Sequence, residues 1–321
     1  TIDTNATNTT GDLTIGAVTG GSNTLTLSTE NNIANADITA SGAISGVTTL
    51  TISNAGGTAT LSGDVDVTTL TIGNTVANVA INGDGSTVTN DIDFANDGTL
   101  QLGDATGDTL TFNGGLDTSG VGSTVTLNGT IATSNDAVTF GAVTLGSATT
   151  IDTNATDGTG DITIGAVTGS NNNLTLDTTA TTGSANHTLN GDINLGTGAL
   201  SVTGDAVLGS NVTITATPSS GTGILFNDAV DADNASSNDR ILTLNSGTNS
   251  TITISGHVGS SQALAGLTIT QSDGTTIGDG TQRKDINVND GDGVITITDT
   301  EDGSLVKLDG ATVAGSIVTG A

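Results

Sequence analysis

The sequence predicts an all-β fold, a right-handed parallel β-helix (β-solenoid) of about 16 coils of roughly 20 residues. Three observations support this prediction. Residues with poor helix propensity dominate the chain, short apolar–polar–apolar triplets recur along it, and one long phrase occurs twice. The right-handed sense follows the general preference of crossover connections between parallel strands.

The composition suits a narrow and regular interior. The 321 residues include 47 Gly, one Pro, four Phe and no Trp, Tyr, Met or Cys, while 33% are hydrophobic. A core without large aromatic residues can be filled by one small aliphatic side chain per step. A net charge of −29 and abundant glycine would also suit disorder. The regular recurrence of the apolar residues argues against disorder, and the absence of cysteine excludes a disulfide framework.

The triplets predict the strands. Each has a polar residue, usually threonine, between two apolar ones, so the apolar pair should face the core and the threonine should face solvent. Gly, Asn, Asp and Ser close most of them, as expected for turns. Many successive triplets lie too close together for a helical crossover, so parallel strands must stack one coil on the next. The triplets begin at Leu13, Leu25, Leu50, Leu70, Leu110, Val125, Val138, Ile162, Leu174, Val212, Leu242, Ile252 and Leu267.

The repeated phrase indicates an internal duplication. TIDTNATNTTGDLTIGAVTGGSNTLTL begins at Thr1 and recurs from Thr150, without a gap and with few substitutions. Residues 1–321 are therefore predicted to form a single continuous β-solenoid segment, in which 1–149 and 150–321 start with the same phrase. Each coil of a solenoid contacts only its neighbours, so a block of coils can be duplicated in frame. Such a rod would be on the order of 75–80 Å long. An antiparallel β-sandwich array is the alternative, and it would show clearer hairpins and a larger aromatic core.

The charge balance limits the partners. Against 33 Asp and Glu stand four Lys and Arg, so nucleic-acid binding is excluded. No apolar run is long enough for a membrane span in this segment. Acidic surfaces rich in Asn and Thr suit salty or calcium-containing surroundings, which favours an extracellular or cell-surface location. The first residues are repeat sequence and not a signal peptide, so we expect an internal segment of a longer protein.

Candidate sites are few. Two aspartates two residues apart on a strand share a face, which could serve a glycosidase, but the aromatic residues that line sugar-binding grooves are absent. We therefore predict that the chain is not an enzyme and assign no catalytic residue. His187 and His257 are the only histidines and are expected at the surface or at corners, without a zinc or iron site. The aspartate pairs are Asp64/Asp66, Asp91/Asp93, Asp231/Asp233 and Asp290/Asp292.

Three further patterns have weaker meanings. Segments 287–294 (NVNDGDGV) and 299–304 (DTEDGS) leave weak structural calcium binding open, although turn formation explains them equally well, and no cofactor or metal ligand is assigned. Thr-x-Thr pairs could order water and bind ice, but their irregular spacing argues against rows. These pairs are Thr109/Thr111, Thr124/Thr126, Thr251/Thr253, Thr268/Thr270 and Thr296/Thr298. Glycosylation sequons start at Asn5, Asn8, Asn128, Asn154, Asn186, Asn211, Asn234 and Asn249.

The phrases GDITIGAVTGSNNNLTLDT, GAVTLGSATTIDT and LNGDINLGTGALSVTG resemble the repeat regions of large bacterial surface adhesins of the filamentous-haemagglutinin and autotransporter type. The resemblance implies a secreted right-handed β-helix that holds a receptor-binding part away from the cell. It predicts a non-enzymatic stalk or fibre segment whose partner is a host or neighbouring-cell surface. The alternative is a subunit of a homopolymeric extracellular filament, sheath or surface layer that associates end to end. A polysaccharide-active β-helix enzyme is a third hypothesis.

Overall fold

The structure is a computed structural model. It describes residues 1–4, 11–29, 35–179, 185–233, 240–279, 284–288 and 294–297, and the backbone of 306–308, 312–314 and 316–319. The chain divides into two compact units, Thr1–Asn154 and Ala155–Ala321. The boundary lies close to Thr150, where the second copy of the repeated phrase begins.

The first unit contains fifteen strands and no helix among its described residues. Its strands are β1 Ile2–Asp3, β2 Leu13–Ile15, β3 Val18–Ser28, β4 Ile38–Ala40, β5 Ile44–Leu61, β6 Val65–Ile72, β7 Val76–Ile81, β8 Thr87–Val88, β9 Ile92–Asp93, β10 Leu100–Leu102, β11 Thr109–Phe112, β12 Leu116–Asp117, β13 Val125–Ala132, β14 Val138–Phe140 and β15 Val143–Asp152.

The second unit continues with strands alone in its described part. They are β16 Ile162–Ile164, β17 Val167–Thr168, β18 Leu174–Asp177, β19 Asn186–Leu189, β20 Ile193–Gly196, β21 Leu200–Thr203, β22 Asp205–Leu208, β23 Val212–Ala216, β24 Thr222–Phe226, β25 Val230–Ala232, β26 Ile241–Asn245, β27 Thr251–Ile254, β28 Gly266–Gln271, β29 Thr275–Ile277, β30 Asp285–Asn287, β31 Val294–Ile297, β32 Val306–Leu308, β33 Thr312–Ala314 and β34 Ser316–Thr319. The described residues therefore include no helix that could cross a membrane.

The fold is a parallel β-solenoid, as the sequence predicts. Equivalent strands of successive turns pair in parallel and in register, so that like side chains stack. One column of the first unit is entirely aliphatic and almost fully buried. It consists of Leu13, Ile38, Ala59, Val79, Leu100, Val125 and Val143. In the second unit another buried aliphatic column consists of Val212, Leu242, Leu267 and Ile295.

The predicted number of coils is wrong. The solenoid has about 11 turns and not 16, because its turns are longer on average than the prediction assumes. Turn length also varies, since the register pairs Leu127 with Leu145 in a short turn and Thr275 with Val306 in a much longer one. The difference in turn length lies in the loops at the corners, because a loop can be longer in one turn without changing how the strands pair. The handedness stays a prediction.

The predicted phase of the triplets is confirmed. Their middle threonines are exposed or half-buried, and the apolar flanks are buried in nearly every triplet. The four phenylalanines Phe94, Phe112, Phe140 and Phe226 are at most 2% exposed. Phe226 stacks between Val202 and Ile254. The sequence predicts that each phenylalanine is interior and stacks among aliphatic side chains. Phe94 and Phe112 differ from this, because their rings pack edge to face with the centroids 6.1 Å apart.

The two copies of the duplicated part form the same corner contacts in both units. Gly42 lies over Ala17 in the first unit, and Gly191 lies over Ala166 in the second, at the same sequence offset as the two phrases. Buried Thr29 donates a hydrogen bond to the Ala36 carbonyl, and buried Thr178 donates one to the Ala185 carbonyl, both at 3.2 Å. The two copies therefore share these contacts as well as much of their sequence.

Candidate functional site

A recurrent polar contact joins an Asp or Asn on one turn to the backbone of the next turn. The residue directly precedes a buried apolar residue, and its Oδ1 accepts a hydrogen bond from the amide of the equivalent residue one turn later. We call this contact an Asx bridge. The bridges are Asp12 to Asp37, Asp37 to Thr58, Asn78 to Thr99, Asp161 to Asn186, Asn173 to Ala199, Asp192 to Thr213, Asp205 to Ala229 and Asn211 to Ile241, at 2.7 to 3.1 Å.

These bridges explain part of the acidic and amide-rich composition. An Asx side chain at this position supplies an acceptor to a backbone amide near the end of the regular ladder. Asp and Asn are expected from the sequence mainly as turn formers, and this second role is not predicted. The signal is visible in retrospect in phrases such as GDLTI at Asp12 and GDITI at Asp161, where the Asx residue directly precedes the triplet.

Replacing Asp37 tests the bridge. Asp37 donates its own amide to Asp12, and its Oδ1 accepts the Thr58 amide at 2.7 Å. We expect Asp37→Ala to lower the free energy of unfolding by about 1–2 kcal/mol, because the Thr58 amide loses its acceptor. Asp37→Asn keeps an Oδ1 and should change stability by less than about 0.5 kcal/mol. Urea denaturation measures both, and Asp66→Ala at an exposed position is the matched control. Equal losses in Asp37→Ala and Asp66→Ala would show that the bridge contributes nothing.

The described members of the aspartate pairs lie in different surroundings. Asp66, Asp91 and Asp93 are exposed on the outer face, as expected for ordinary strands. Asp231 is buried and its Oδ1 accepts the Ser261 amide at 2.8 Å. Asp233 instead forms an ion pair with Arg240, with Nη2 to Oδ2 at 2.7 Å, and this hydrogen bond raises the pKa of Arg240. Asp290 and Asp292 lie outside the described residues.

The described surface has a concave groove in each of the two units. The first, in the first unit, has a volume of about 450 Å³ and is lined mainly by hydroxyl groups. The second, in the second unit, has a volume of about 440 Å³ and contains Asp205 and Asp231. Both of these carboxylates already accept backbone amides. The first groove is lined by Ser22, Gly46, Val47, Thr48, Asp66, Val67, Thr68, Thr87 and Thr89.

His187 lies in the core and not at the surface. Its exposed fraction is 0%, so the expected surface or corner position is wrong. Its Nε2 lies 2.9 Å from the Thr203 carbonyl and 3.0 Å from the Thr178 hydroxyl. A carbonyl only accepts, so Nε2 carries the hydrogen and Nδ1 is left as a buried acceptor without a partner. The position corresponds to Ile38 in the first copy, which explains why it sits in an aliphatic column.

Burial makes His187 a source of pH dependence. Loss of solvation lowers the pKa of His187 below its ordinary 6.5, and this outweighs the Thr203 carbonyl and the nearby carboxylates that favour the charged form. Above about pH 6.5 the imidazole is neutral in both the folded and the unfolded chain. Below that pH the unfolded chain takes up a proton that the folded chain resists, so stability falls as pH falls. The carboxylates belong to Asp177, Asp228 and Asp161.

Comparing the native chain with His187→Ile measures this effect. Between pH 7 and pH 5 the native chain should lose up to about 1.4 kcal/mol of unfolding free energy per pH unit through this residue. The variant has the aliphatic residue of the first copy, and its stability should change less over the same interval. Denaturation at several pH values gives both slopes. Equal slopes in the two proteins would show that His187 titrates alike in the folded and unfolded states.

No metal centre can be built from the residues that the structure describes. Among them there is no group of three or more His, Cys, Asp or Glu side chains that could hold a metal ion. His257 is half-buried, and its Nδ1 accepts the Asp285 amide at 3.0 Å. Residues 289–293 of the first acidic segment and all of the second segment, 299–304, lie outside the described residues. The calcium hypothesis therefore stays a prediction. Among the sequons, Asn128 is only 5% exposed and bonds the Gly103 carbonyl.

Many of the described Asp and Asn side chains therefore form hydrogen bonds between one turn and the next. Comparison with protein-family models, with curated proteins and with solved structures finds no significant match to this chain.

Proposed function

We propose that this chain is a non-enzymatic structural stalk or fibre segment of a bacterial cell-surface adhesin. The observation that supports the proposal is the coupling of each turn to the next. In both units parallel backbone ladders are reinforced by Asx bridges, such as Asp12 to Asp37 in the first and Asp161 to Asn186 in the second. The Oδ1 atoms of these side chains join one turn to the next.

This arrangement suits a part that acts by length and stiffness. In a solenoid each turn contacts only its neighbours, so turns can be added without changing the rest of the core. The duplicated block, with the same corner contacts in both copies, indicates that this chain has grown in that way. A net charge of −29 favours solubility and disfavours non-specific association through like-charge repulsion, which salt screens.

The likeness of the repeat phrases to adhesin repeat regions supplies the biological setting of the proposal. An adhesin stalk is secreted and displayed outside the cell, where it carries a binding part towards a host or neighbouring cell. Antibodies raised against this chain should label intact cells of the source organism. Labelling that appears only after permeabilisation would contradict the surface location.

Electron microscopy and analytical ultracentrifugation of the purified chain separate the stalk from the filament. A stalk segment should sediment as a 31.1 kDa monomer and give isolated particles across a wide range of concentrations. End-to-end fibres that lengthen with concentration would favour the filament, sheath or surface-layer alternative, because uncapped solenoid ends present open strand edges. Incubation with a panel of polysaccharides should release no reducing ends, and release that Asp66→Asn abolishes would favour an enzyme.

A further inference from the structure

Two columns of threonine lie side by side on one sheet face of the first unit. They come from three successive turns in which the sequence Thr-Leu-Thr repeats in β3, β5 and β6. The register aligns Thr24 with Thr49 and Thr69, and it aligns Thr26 with Thr51 and Thr71. We call these six residues the threonine grid.

The hydroxyl groups of the grid make few hydrogen bonds with the rest of the described chain. All six side chains are exposed or half-buried. A leucine lies between the two threonines of each turn, and Leu50 and Leu70 are buried. The Thr69 hydroxyl accepts a bond from Asn90 Nδ2 at 2.9 Å. The other five hydroxyls have no hydrogen-bond partner within the described chain. The grid thus differs from the Asx bridges, in each of which Oδ1 accepts a backbone amide of the next turn.

The geometry of the solenoid sets the spacing of these groups. Adjacent parallel strands lie about 4.8 Å apart, and residues on the same face of one strand are about 6.6 Å apart. Threonine is β-branched and has few rotamers in a strand, so its methyl and hydroxyl groups are held in place before anything binds. The result is a fixed two-dimensional lattice of hydrogen-bonding and apolar points.

The chemistry of the grid selects its ligand. The grid has no aromatic or arginine side chain of the kind that anchors protein interfaces. It has no cation to attract phosphate or sulfate. Regularly placed hydroxyls and methyls instead suit an ordered array of water molecules, and the oxygen spacings on the surface of ice are of the same size as those of the grid. We propose that the threonine grid binds ice, a property beyond the stalk function.

Irregular spacing along the sequence does not prevent this registration. The turn from Thr26 to Thr51 is longer than the turn from Thr51 to Thr71, and yet all three threonines pair in register. The extra residues are accommodated outside the grid, and the strands still align. Rows of threonine therefore do not require a constant turn length in this fold.

The test uses the purified full chain and two matched threonine variants. We measure inhibition of ice recrystallisation, and adsorption of the amine-labelled chain to a growing ice crystal. The native chain should inhibit recrystallisation at micromolar concentrations and adsorb to the crystal. Thr51→Lys places a charge in the middle of the grid and should raise the required concentration at least about tenfold, equivalent to about 1.4 kcal/mol. Thr26→Lys, in the same column, should act alike.

Thr39→Lys is the control, because Thr39 is also half-buried in a threonine column but is flanked by Asp37 and Ser41. It should keep the native activity, and melting curves should show that all variants are folded. A native chain without effect on ice overturns the proposal. Loss of activity in Thr39→Lys equal to that in Thr51→Lys also overturns it, because the effect would then not belong to the grid.

Discussion

Phe112→Asp should destabilise the chain by more than about 4 kcal/mol, the largest effect that we expect from a single substitution. Phe112 is 1% exposed and stacks on Val88. Its ring packs edge to face with the Phe94 ring, and the two ring centroids are 6.1 Å apart. A carboxylate at this position would be buried without a partner, and the Phe94 ring would lose its neighbour.

Thr111→Asp is the matched control on the adjacent residue. Thr111 is half-buried on the outer face of the same strand, where a carboxylate can reach water. Its cost should stay below about 0.5–1 kcal/mol. Thermal and urea denaturation of both variants give the comparison. Similar losses at the two positions would mean that the strand presents its faces differently from this description.

Gly63→Ala should cost about 1–3 kcal/mol or more, although it adds only a methyl group. Gly63 belongs to a corner column in which Ala17, Gly42, Gly63 and Gly83 follow one another on successive turns. A Cβ at Gly63 would lie 2.5 Å from the Ala43 amide nitrogen and still closer to the Gly42 carbonyl carbon. These are backbone atoms of the turn beneath, so the clash can be relieved only by separating the turns.

Gly16→Ala controls for the general effect of removing a glycine. A Cβ at Gly16 would meet no atom within 4 Å. This change should leave stability unaltered or raise it by about 0.4–1 kcal/mol, since the unfolded chain loses freedom. Denaturation midpoints measured side by side decide the matter. A Gly63→Ala variant as stable as Gly16→Ala would exclude close packing at the corner.

The fold class could be predicted from the sequence because strand signals here are local. Triplets such as Leu50-Thr51-Ile52 alternate with period two, and their phase fixes which side chain is buried. The number of turns could not be predicted, because it depends on loop lengths at corners. A short strand gives no indication of how much chain separates it from the partner on which it stacks.

The functional candidates were predictable to a smaller extent. His187 looks like a surface residue in the sequence, since its burial depends on which column it enters. The offset between the two copies aligns it with Ile38, but only the register shows that both positions stack in a column of the core. The threonine grid is likewise invisible in the spacing of Thr26, Thr51 and Thr71, because alignment between turns is a property of the stack and not of the sequence interval.

The Asx bridge also affects how this protein can change during evolution. Asp37 and Asn78 make the same contact with the same atom, so the acceptor matters and the charge does not. Codons for Asp and Asn differ by a single base. Mutation can therefore exchange one for the other at many corners while each exchange leaves the stack intact. Each exchange changes the net charge by one unit and keeps the contact between turns, so the charge of this protein is not fixed by its architecture.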